Sequence, residues 1–372
     1  MGLEGTPART SETTTTDDLP AEITASIGQI QYAESGTFPV EMGYVFTGCA
    51  SVENGNPLFW DPAVAAELTG GPIAPPSMIS VWFRPHHWAP NRTEGALPLQ
   101  VHFDLKDRLG LPEAVMSDNT IVFHTPVRPG DLLDTHQILR SVSAEKTTKL
   151  GSGRFWVIDV EYHNPAGELV ATESYTGFGY RRADQDGGVN TPVEPTEIDP
   201  ALIGAPPGDT TRPTGSASRE LTQVTEGERL PSLRQGVSAT TVVLGAIAAR
   251  DWRPMHHDYA FATRRNGTRD IFVNTPNLAH WFERFLTDWS GPKGRLGRMT
   301  FRMLGSIFPG DEMVFDATVT QLSSDATGCG WVDLDVAVTV DGDVKTTCKA
   351  RMALPVAPDD NPWARTGERW AP

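Results

Sequence analysis

A short segment in the second half of the sequence combines a carboxylate and an imidazole around a proline. Asp251 and His256 lie five positions apart, and Pro254 stands between them. A carboxylate and a histidine held by one turn can share a water molecule and transfer a proton to or from a reacting group. We therefore predict that Asp251 and His256 form a catalytic pair.

The first half of the sequence contains a related segment that lacks both groups. When Pro57 is aligned with Pro254, Asn54 takes the place of the acid and Phe59 takes the place of the histidine. The sequence therefore predicts an internal repeat in which the second copy is active and the first copy is degenerate.

The two halves also repeat the same order of elements. Pro-Gly-Asp occurs at 129–131 and again at 309–311, each time before a strand-like stretch and a hairpin. Residues 331–340 alternate between apolar and polar types, which predicts a half-buried strand. We expect an α+β protein in which each half is an antiparallel sheet with one main helix.

The main helix is clearest in the second half, where apolar residues recur at helical spacing. Pro276 suits the first turn of this helix, and Gly291 suits its end. In the first half we expect an analogous helix that begins at Pro75 and ends at Pro85. The apolar stripes of the two helices are Leu278, Trp281, Phe282, Phe285 and Trp289 in the second half, and Met78, Val81 and Trp82 in the first.

Changes in composition along the chain predict its domain boundaries. We expect a disordered tail at 1–25, a degenerate half at 26–183, a linker at 184–218, a catalytic half at 219–356 and a second tail at 357–372.

Composition and charge exclude several classes of protein. The chain has 372 residues, 39% of them hydrophobic, and a net charge of −16, which disfavours binding to nucleic acid. It has three cysteines, no long apolar run and no secretory signal, so we expect a cytoplasmic protein without a membrane span. His257 and Asp258 lack an evident third ligand, so no metal site is expected.

The segment around Asp251 resembles the signature of a known family. MaoC-like, R-specific enoyl-CoA hydratases carry Asp-x-Asn-Pro-x-His, and this sequence reads Asp251-x-Arg253-Pro254-x-His256. Arginine stands in place of the usual asparagine. In the first half, Gly-Gly-Pro-Ile-Ala-Pro-Pro at 70–76 is similar to the start of the main helix in FAS1-like dehydratase domains.

Further segments resemble one branch of this family. Residues 250–258, 270–274 and 287–292 are similar to the catalytic subunit of the actinobacterial MaoC hydratases of steroid side-chain degradation. In those hydratases the active and inactive hotdog domains lie on separate chains, whereas here they would be fused. The resemblance therefore implies a double hotdog and a lyase that hydrates a bulky, steroid-like enoyl-CoA without a cofactor.

The resemblance also implies roles for the residues of the site. Asp251 would remove a proton from the water that adds to Cβ, His256 would orient that water, and one of the pair would return a proton to Cα. Backbone N–H groups at the start of the second-half helix would stabilise the enolate oxygen. We place this oxyanion and substrate-binding site at Asn274, Thr275, Asn277 and Leu278.

The sequence also suggests where the two ends of an acyl-CoA would bind. The stretch from Arg250 to Arg302 contains ten basic and five acidic residues, a net charge of +5 that suits an anionic ligand. Candidates for the phosphates of CoA are Arg264, Arg265, Arg295 and Arg298. In the degenerate half, Asn54, Phe59 and Trp60 would provide space for the acyl group.

Two other functions remain open from the sequence. A hotdog acyl-CoA thioesterase would use an acid on the central helix, where Glu283 and Asp288 lie. A non-catalytic acyl-CoA-binding module would leave Asp251 and His256 idle. A homodimer is possible, and so is a thiolase- or aldolase-like partner.

Overall fold

A computed structural model describes residues 19–90, 99–182 and 217–372. Most of the predicted tail at 1–25 and of the predicted linker at 184–218 lies outside these residues. Within them, no helix combines the length and the hydropathy that crossing a membrane requires.

Helices and strands follow one another in a similar order in the two halves. The first half contains α1 (Ala21–Ser26), β1 (Ile30–Ser35), α2 (Met42–Ser51), α3 (Pro57–Trp60), α4 (Pro62–Thr69), α5 (Gln100–Arg108), β2 (Glu113–Phe123), β3 (Asp134–Val142), β4 (Lys146–Thr148), β5 (Gly151–His163) and β6 (Leu169–Arg181). The second half contains β7 (Leu233–Gly236), α6 (Ala239–Ala248), α7 (Thr275–Ser290), β8 (Arg295–Met303), β9 (Glu312–Ser324), β10 (Gly330–Val340) and β11 (Asp343–Leu354).

All eleven strands belong to one sheet, and its order shows the repeat. The strands run β1-β3-β5-β6-β2-β8-β11-β10-β9-β7, with β4 paired to β5. The second half thus repeats the order of the first half in reverse, as two halves related by a twofold axis would. The halves meet where β2 pairs antiparallel with β8, and there the hydroxyls of Thr120 and Thr300 lie 3.0 Å apart.

Helix α7 forms as predicted, and the sheet packs around it. Thr275–Ser290 is helical, with Pro276 in its first turn, and the backbone at Gly291 adopts a positive φ of 74° where the helix ends. Its whole apolar stripe is buried, and Val332, Leu334, Val336 and Val338 of β10 contribute their inward face to the same core. The burial of both patterns explains why this helix lies inside the fold.

The corresponding helix of the first half is shorter than predicted. Only Pro76–Val81 is helical, as a 3₁₀ turn, although Met78, Val81 and Trp82 are buried as expected. Two prolines at its start and Pro85 a few residues later leave too little chain for several turns of α-helix.

The prediction of a C-terminal tail at 357–372 is wrong. Residues Pro362–Ala364 and Gly367–Arg369 form 3₁₀ turns, and Trp363 and Trp370 are buried. The N-terminal prediction also fails from residue 21 onward, since α1 is helical and Ile23 is completely buried. Single large apolar side chains anchor these short segments, and the polar composition around them concealed that effect.

Arg295 of β8 holds the C-terminal segment against both halves. Its guanidinium, which is almost completely buried, donates to the carbonyl oxygens of Pro362 at 3.1 Å and Arg365 at 2.7 Å, and to that of His124 in the first half. The same group lies 3.6 Å from the ring centroid of Trp370. A predicted CoA ligand is therefore a structural residue.

We expect Arg295→Met to destabilise the protein strongly. The substitution leaves three carbonyl oxygens without their donor and removes the cation–π contact. We expect the free energy of unfolding to fall by about 3 kcal/mol. Arg298→Met is the matched control, because Arg298 lies on the same strand but is only half-buried; it should change stability by about 0.5 kcal/mol or less. Equal melting temperatures for the two variants would contradict this role.

Candidate active site

The turn after α6 brings Asp251 and His256 together. Helix α6 ends at Ala248, and Arg250 then adopts a positive φ of 48°, which turns the chain back so that the Asp251 N–H donates to Ala246 O. The 3₁₀ turn Pro254–His256 follows. As a result, Asp251 Oδ2 and His256 Nε2 lie 3.7 Å apart, and both residues are buried.

Both side chains are held in position by the segment that leads into α7. His256 Nδ1 lies 2.8 Å from the carbonyl oxygen of Phe272, and Asn274 Nδ2 donates to Asp251 Oδ2 at 3.1 Å. A carbonyl oxygen only accepts, so Nδ1 carries the proton and Nε2 is directed toward Asp251. The structure thus brings Asp251 and His256 together, as their spacing in the sequence predicts.

Electrostatics keep Asp251 ionised and His256 neutral at pH 7. Burial alone raises the pKa of Asp251, but Arg84, whose Nη1 lies 3.8 Å from Oδ2, and then His256 outweigh it and hold the pKa below the usual value. Burial lowers the pKa of His256 below 6.5, although Asp251 opposes this shift.

Two hydrogen-bond acceptors therefore face each other across 3.7 Å. A water molecule has two O–H donors, so it can donate one to the carboxylate and one to Nε2. The carboxylate or the imidazole can then take a proton from that water. Among the described residues, no group of three or more His, Cys, Asp and Glu side chains is arranged to hold a metal ion.

A cavity of about 720 Å³ extends from this pair into the first half. Asp251, His256 and Thr275 line its second-half wall. The first half contributes Ser77, Ser80, Phe83, Arg84, Pro85, Leu99, His102, Phe103, Lys106, Ala114, Met116, Asn119, Ile121, Tyr162, Glu173 and Tyr175. The first half therefore forms much of the cavity wall.

The residues predicted for the acyl pocket do not reach this cavity. Phe59 is buried in the hydrophobic core, Trp60 stacks on Phe46 at 4.9 Å, and Asn54 accepts the N–H of Asn56. Alignment with Asp251 located the equivalent segment correctly, but the pseudo-twofold axis carries that segment away from the cavity.

The two related segments contact opposite parts of α7. Asn274, just before the helix, binds Asp251, whereas Arg284 donates to the carbonyl oxygen of Val52 at 2.8 Å and lies 3.7 Å from Glu53. Ten residues of helix separate these points by about 15 Å. The position equivalent to the active site is thus next to a buried arginine rather than an open pocket.

The predicted oxyanion and substrate-binding residues divide into two groups. Thr275 lines the cavity at the first position of α7, where backbone N–H groups lack helical partners. Asn274 instead binds Asp251. Asn277 and Leu278 do not line the cavity: Asn277 accepts the indole N–H of Trp281 and contacts Ser51, and Leu278 packs in the hydrophobic core.

The predicted CoA-binding arginines are dispersed. Arg264 and Arg265 are exposed on a π-helical turn at Phe261–Arg265, next to the Asp251–His256 segment along the chain. Arg295 is structural, and neither it nor Arg298 lines the cavity. Charge counting does not distinguish the inner face of a strand from its outer face, which explains the error. The arginine and lysine residues that do line the cavity are Arg84, Lys106, Arg250 and Arg253.

Sequence reasoning missed Arg84 and the polar groups of the first half that line the cavity. Arg84 follows the 3₁₀ turn, and Asn119, Tyr162, Glu173 and Tyr175 lie on β2, β5 and β6. Glu173 in the middle of a strand-like stretch is the one signal that the sequence offers, because strand interiors rarely hold an acid without a partner.

The acids that a thioesterase would need are used elsewhere. Glu283 is buried on α7 and accepts the backbone N–H of Ser77 at 2.8 Å, and Asp288 lies 3.4 Å from Arg284. Neither acid lines the cavity. Burial raises the pKa of Glu283 to about 7, but its carboxyl group is enclosed and accepts the Ser77 N–H, so a substrate in the cavity does not reach it.

Comparison with known proteins identifies the family. Residues 26–173 match the model for the FAS1-like dehydratase domain region. The beta subunit of 3-oxo-4,17-pregnadiene-20-carboxyl-CoA hydratase from Mycobacterium tuberculosis is 32% identical over 97 residues, which are 26% of this chain and 74% of that protein. The chain belongs to the family of MaoC-like and FAS1-like dehydratases, as the sequence predicted.

Other relatives agree with this assignment. A probable enoyl-CoA hydratase alpha subunit from Thermomonospora curvata is 28% identical over 169 residues, which are 44% of this chain and 53% of that protein. The match thus spans about half the length of that relative. The hydro-lyase class predicted from the sequence agrees with the names of both relatives.

Solved structures confirm the fold. A MaoC-like dehydratase superposes with a TM-score of 0.63 at 20% identity, covering 90% of this chain and all of that one. A conserved protein of M. tuberculosis with a double hotdog fold gives 0.58 at 16% identity, covering 90% and 98%. The predicted α+β double hotdog is confirmed. The first-half helix differs from the prediction, because it is only a short 3₁₀ turn.

Proposed function

We propose that the protein is an enoyl-CoA hydratase that adds water across the α,β double bond of a bulky acyl-CoA. The observation that carries the proposal is the buried Asp251–His256 pair, whose Oδ2 and Nε2 atoms lie 3.7 Å apart on the wall of a large cavity between the halves. Such a pair can hold and deprotonate one water molecule.

Asp251 and His256 can account for every proton that moves in the reaction. Asp251 takes a proton from the water, whose oxygen bonds to Cβ, and the π electrons of the double bond move onto the thioester as an enolate. A proton from the protonated pair then bonds to Cα, which regenerates Asp251 and His256. No redox step or cofactor enters this balance, so CoA thioester and water are the only reactants.

The start of α7 suits the developing negative charge. In its first turn the backbone N–H groups of Thr275 and Asn277 lack helical partners and carry the positive end of the helix dipole, whereas Pro276 between them has no N–H. A donor of this kind is typically worth about 3 kcal/mol in the transition state. Arg253, Lys106, Arg264 and Arg265 are the basic groups that we propose for the phosphates of CoA.

We propose a steroid-like side chain as the acyl class, on two grounds. The cavity volume of about 720 Å³ falls within the range of about 300–1,000 Å³ that suits large ligands. The M. tuberculosis relative is named for a steroid carboxyl-CoA. Because the two relatives are named as subunits, we infer that this single chain combines two hotdog halves that they divide, and a homodimer or a thiolase- or aldolase-like partner remains a proposal.

The three cysteines are free and buried, which fits a reducing compartment such as the cytoplasm, where we propose that the enzyme acts.

Paired substrates test the reaction and the acyl class together. We expect a steroid enoyl-CoA to lose its conjugated-thioester absorbance faster than crotonyl-CoA with the wild-type protein, because the cavity contacts the whole acyl group. Product mass should increase by one water, without release of free thiol. Faster turnover of crotonyl-CoA would contradict the bulky substrate, and thiol release would indicate a thioesterase.

A further inference from the structure

The cavity contains a second polar centre that the hydration step does not use. Glu173, on β6, is buried and accepts the amide N–H of Asn119 at 3.0 Å through Oε1 and the hydroxyl of Tyr162 at 3.0 Å through Oε2. Tyr175 lies directly opposite Asn119 in the sheet register, and its side chain lines the same cavity. Three neighbouring strands thus direct polar groups at one place.

The two tyrosines of this centre stay neutral, and Arg84 beside it stays charged. Burial, and then the Glu173 carboxylate, hold the pKa of Tyr162 and of Tyr175 well above the usual tyrosine value, so both hydroxyls remain donors. Burial alone lowers the pKa of Arg84, but Asp251, followed by Tyr175 and Glu173, raises it, so Arg84 stays charged. The charge of Arg84 therefore interacts both with Asp251 of the catalytic pair and with Glu173 of this centre.

Two residues of the cavity wall each carry a hydrogen-bonding atom that is closed to solvent and unmatched within the described part of the chain, so a ligand would reach it after a small rotation of the side chain. Asn119 is only 2% exposed, and its Oδ1 accepts from no described group; likewise Arg84 Nε is buried and donates to none. A buried acceptor and a buried donor without partners are costly, unless a ligand completes them. A hydroxyl group can do both, because it donates one hydrogen bond and accepts others.

We propose that Asn119, Arg84 and the Glu173 cluster form a specificity subsite for a hydroxyl group carried by the acyl part of the substrate. This inference rests on the proposed function for the identity of the ligand as an acyl-CoA. The rest of the wall is largely apolar, with Phe83, Leu99, Met116, Ile121, Phe301 and Met303. The acyl class is therefore a bulky hydrocarbon skeleton that bears a hydroxyl substituent.

Binding of saturated probes tests the subsite without catalysis. The probes are cholanoyl-CoA, lithocholoyl-CoA, deoxycholoyl-CoA and choloyl-CoA, whose ring systems carry none, one, two and three hydroxyl groups. With the wild-type protein, calorimetry should give a Kd at least about tenfold lower for one of the hydroxylated probes than for cholanoyl-CoA, since an unmet polar site disfavours the analogue that lacks the group. Equal affinities for all four probes would overturn the proposal.

Variants assign the effect to the subsite. Asn119→Leu removes the acceptor and Arg84→Met removes the donor, so each should bring the ratio of affinities to within about twofold, by loss of one hydrogen bond. Tyr32→Phe is the control, because Tyr32 also donates its hydroxyl to a carboxylate, Asp104, but does not line the cavity; its ratio should equal that of the wild type. If Asn119→Leu does not fold, Arg84→Met decides, and an unchanged ratio refutes the subsite.

The two proposals fail separately. A protein that hydrates enoyl-CoAs but binds all four probes equally would refute the hydroxyl subsite alone. A protein that prefers a hydroxylated probe but hydrates no enoyl-CoA would refute the hydratase and keep the subsite.

Discussion

Replacing Asp251 by Asn should reduce kcat for enoyl-CoA hydration by about 10²- to 10⁴-fold, because the carboxylate that deprotonates water is lost. Asn keeps the size of the side chain and can still accept from Asn274 Nδ2, so the melting temperature should change little. Steady-state rates and thermal unfolding of the same preparations measure both effects.

The paired variant shows whether the two residues act on one water. If they do, Asp251→Asn with His256→Gln should be scarcely slower than either single variant, because each single change already disables the unit. Multiplicative losses in the double variant would mean that Asp251 and His256 act in separate steps. Asp258→Asn is the matched control, since this neighbouring acid is exposed and caps the N–H of Phe261; its rate should be that of the wild type.

Replacing Arg84 by Gln should move the acid limb of the kcat/KM profile to higher pH. In the wild type, the pKa of Asp251 and the pKa of His256 both lie below their usual values. The kcat/KM should therefore be at its plateau at pH 7 and fall only below pH 6.5, the ordinary pKa of histidine. Without Arg84, a close opposite charge is lost, so burial dominates at Asp251 and its pKa rises. Protonated Asp251 then removes activity at a higher pH.

Arg84→Lys is the conservative control for this shift. It retains a positive charge near Asp251, so its acid limb should remain close to that of the wild type even if kcat falls. Because the two sites are coupled, the profile reports the pair rather than one residue. An acid limb that is the same for Gln and Lys variants would show that Arg84 does not set the charge state of Asp251.

The parts of the molecule that depend on local pattern could be predicted from the sequence. The spacing of Asp251, Pro254 and His256 indicated a turn with both groups on one side, and the stripe from Leu278 to Trp289 indicated α7. Repetition of these patterns indicated the two halves. Each of these features lies within a few residues along the chain, where spacing alone determines geometry.

The remainder of the site depends on which distant segments meet. Arg84, Asn119, Glu173 and Tyr162 come from a turn and three strands, and their register across the sheet brings them together. The same limitation caused Arg295 to be taken for a CoA ligand, because net charge along a segment does not reveal that the side chain points at Trp370. Burial of isolated tryptophans in the C-terminal segment was missed for the same reason.

The fate of water in a single reaction decides whether the protein is a hydratase. The wild-type protein and Asp251→Asn are mixed with a steroid enoyl-CoA in ¹⁸O-labelled water, and intact thioester products are measured by mass spectrometry. We expect a hydroxyacyl-CoA that carries one ¹⁸O atom at Cβ, formed rapidly by the wild type and at least about 100-fold more slowly by the variant. Label in a free carboxylic acid with release of CoA, or equal product from both proteins, would contradict this expectation.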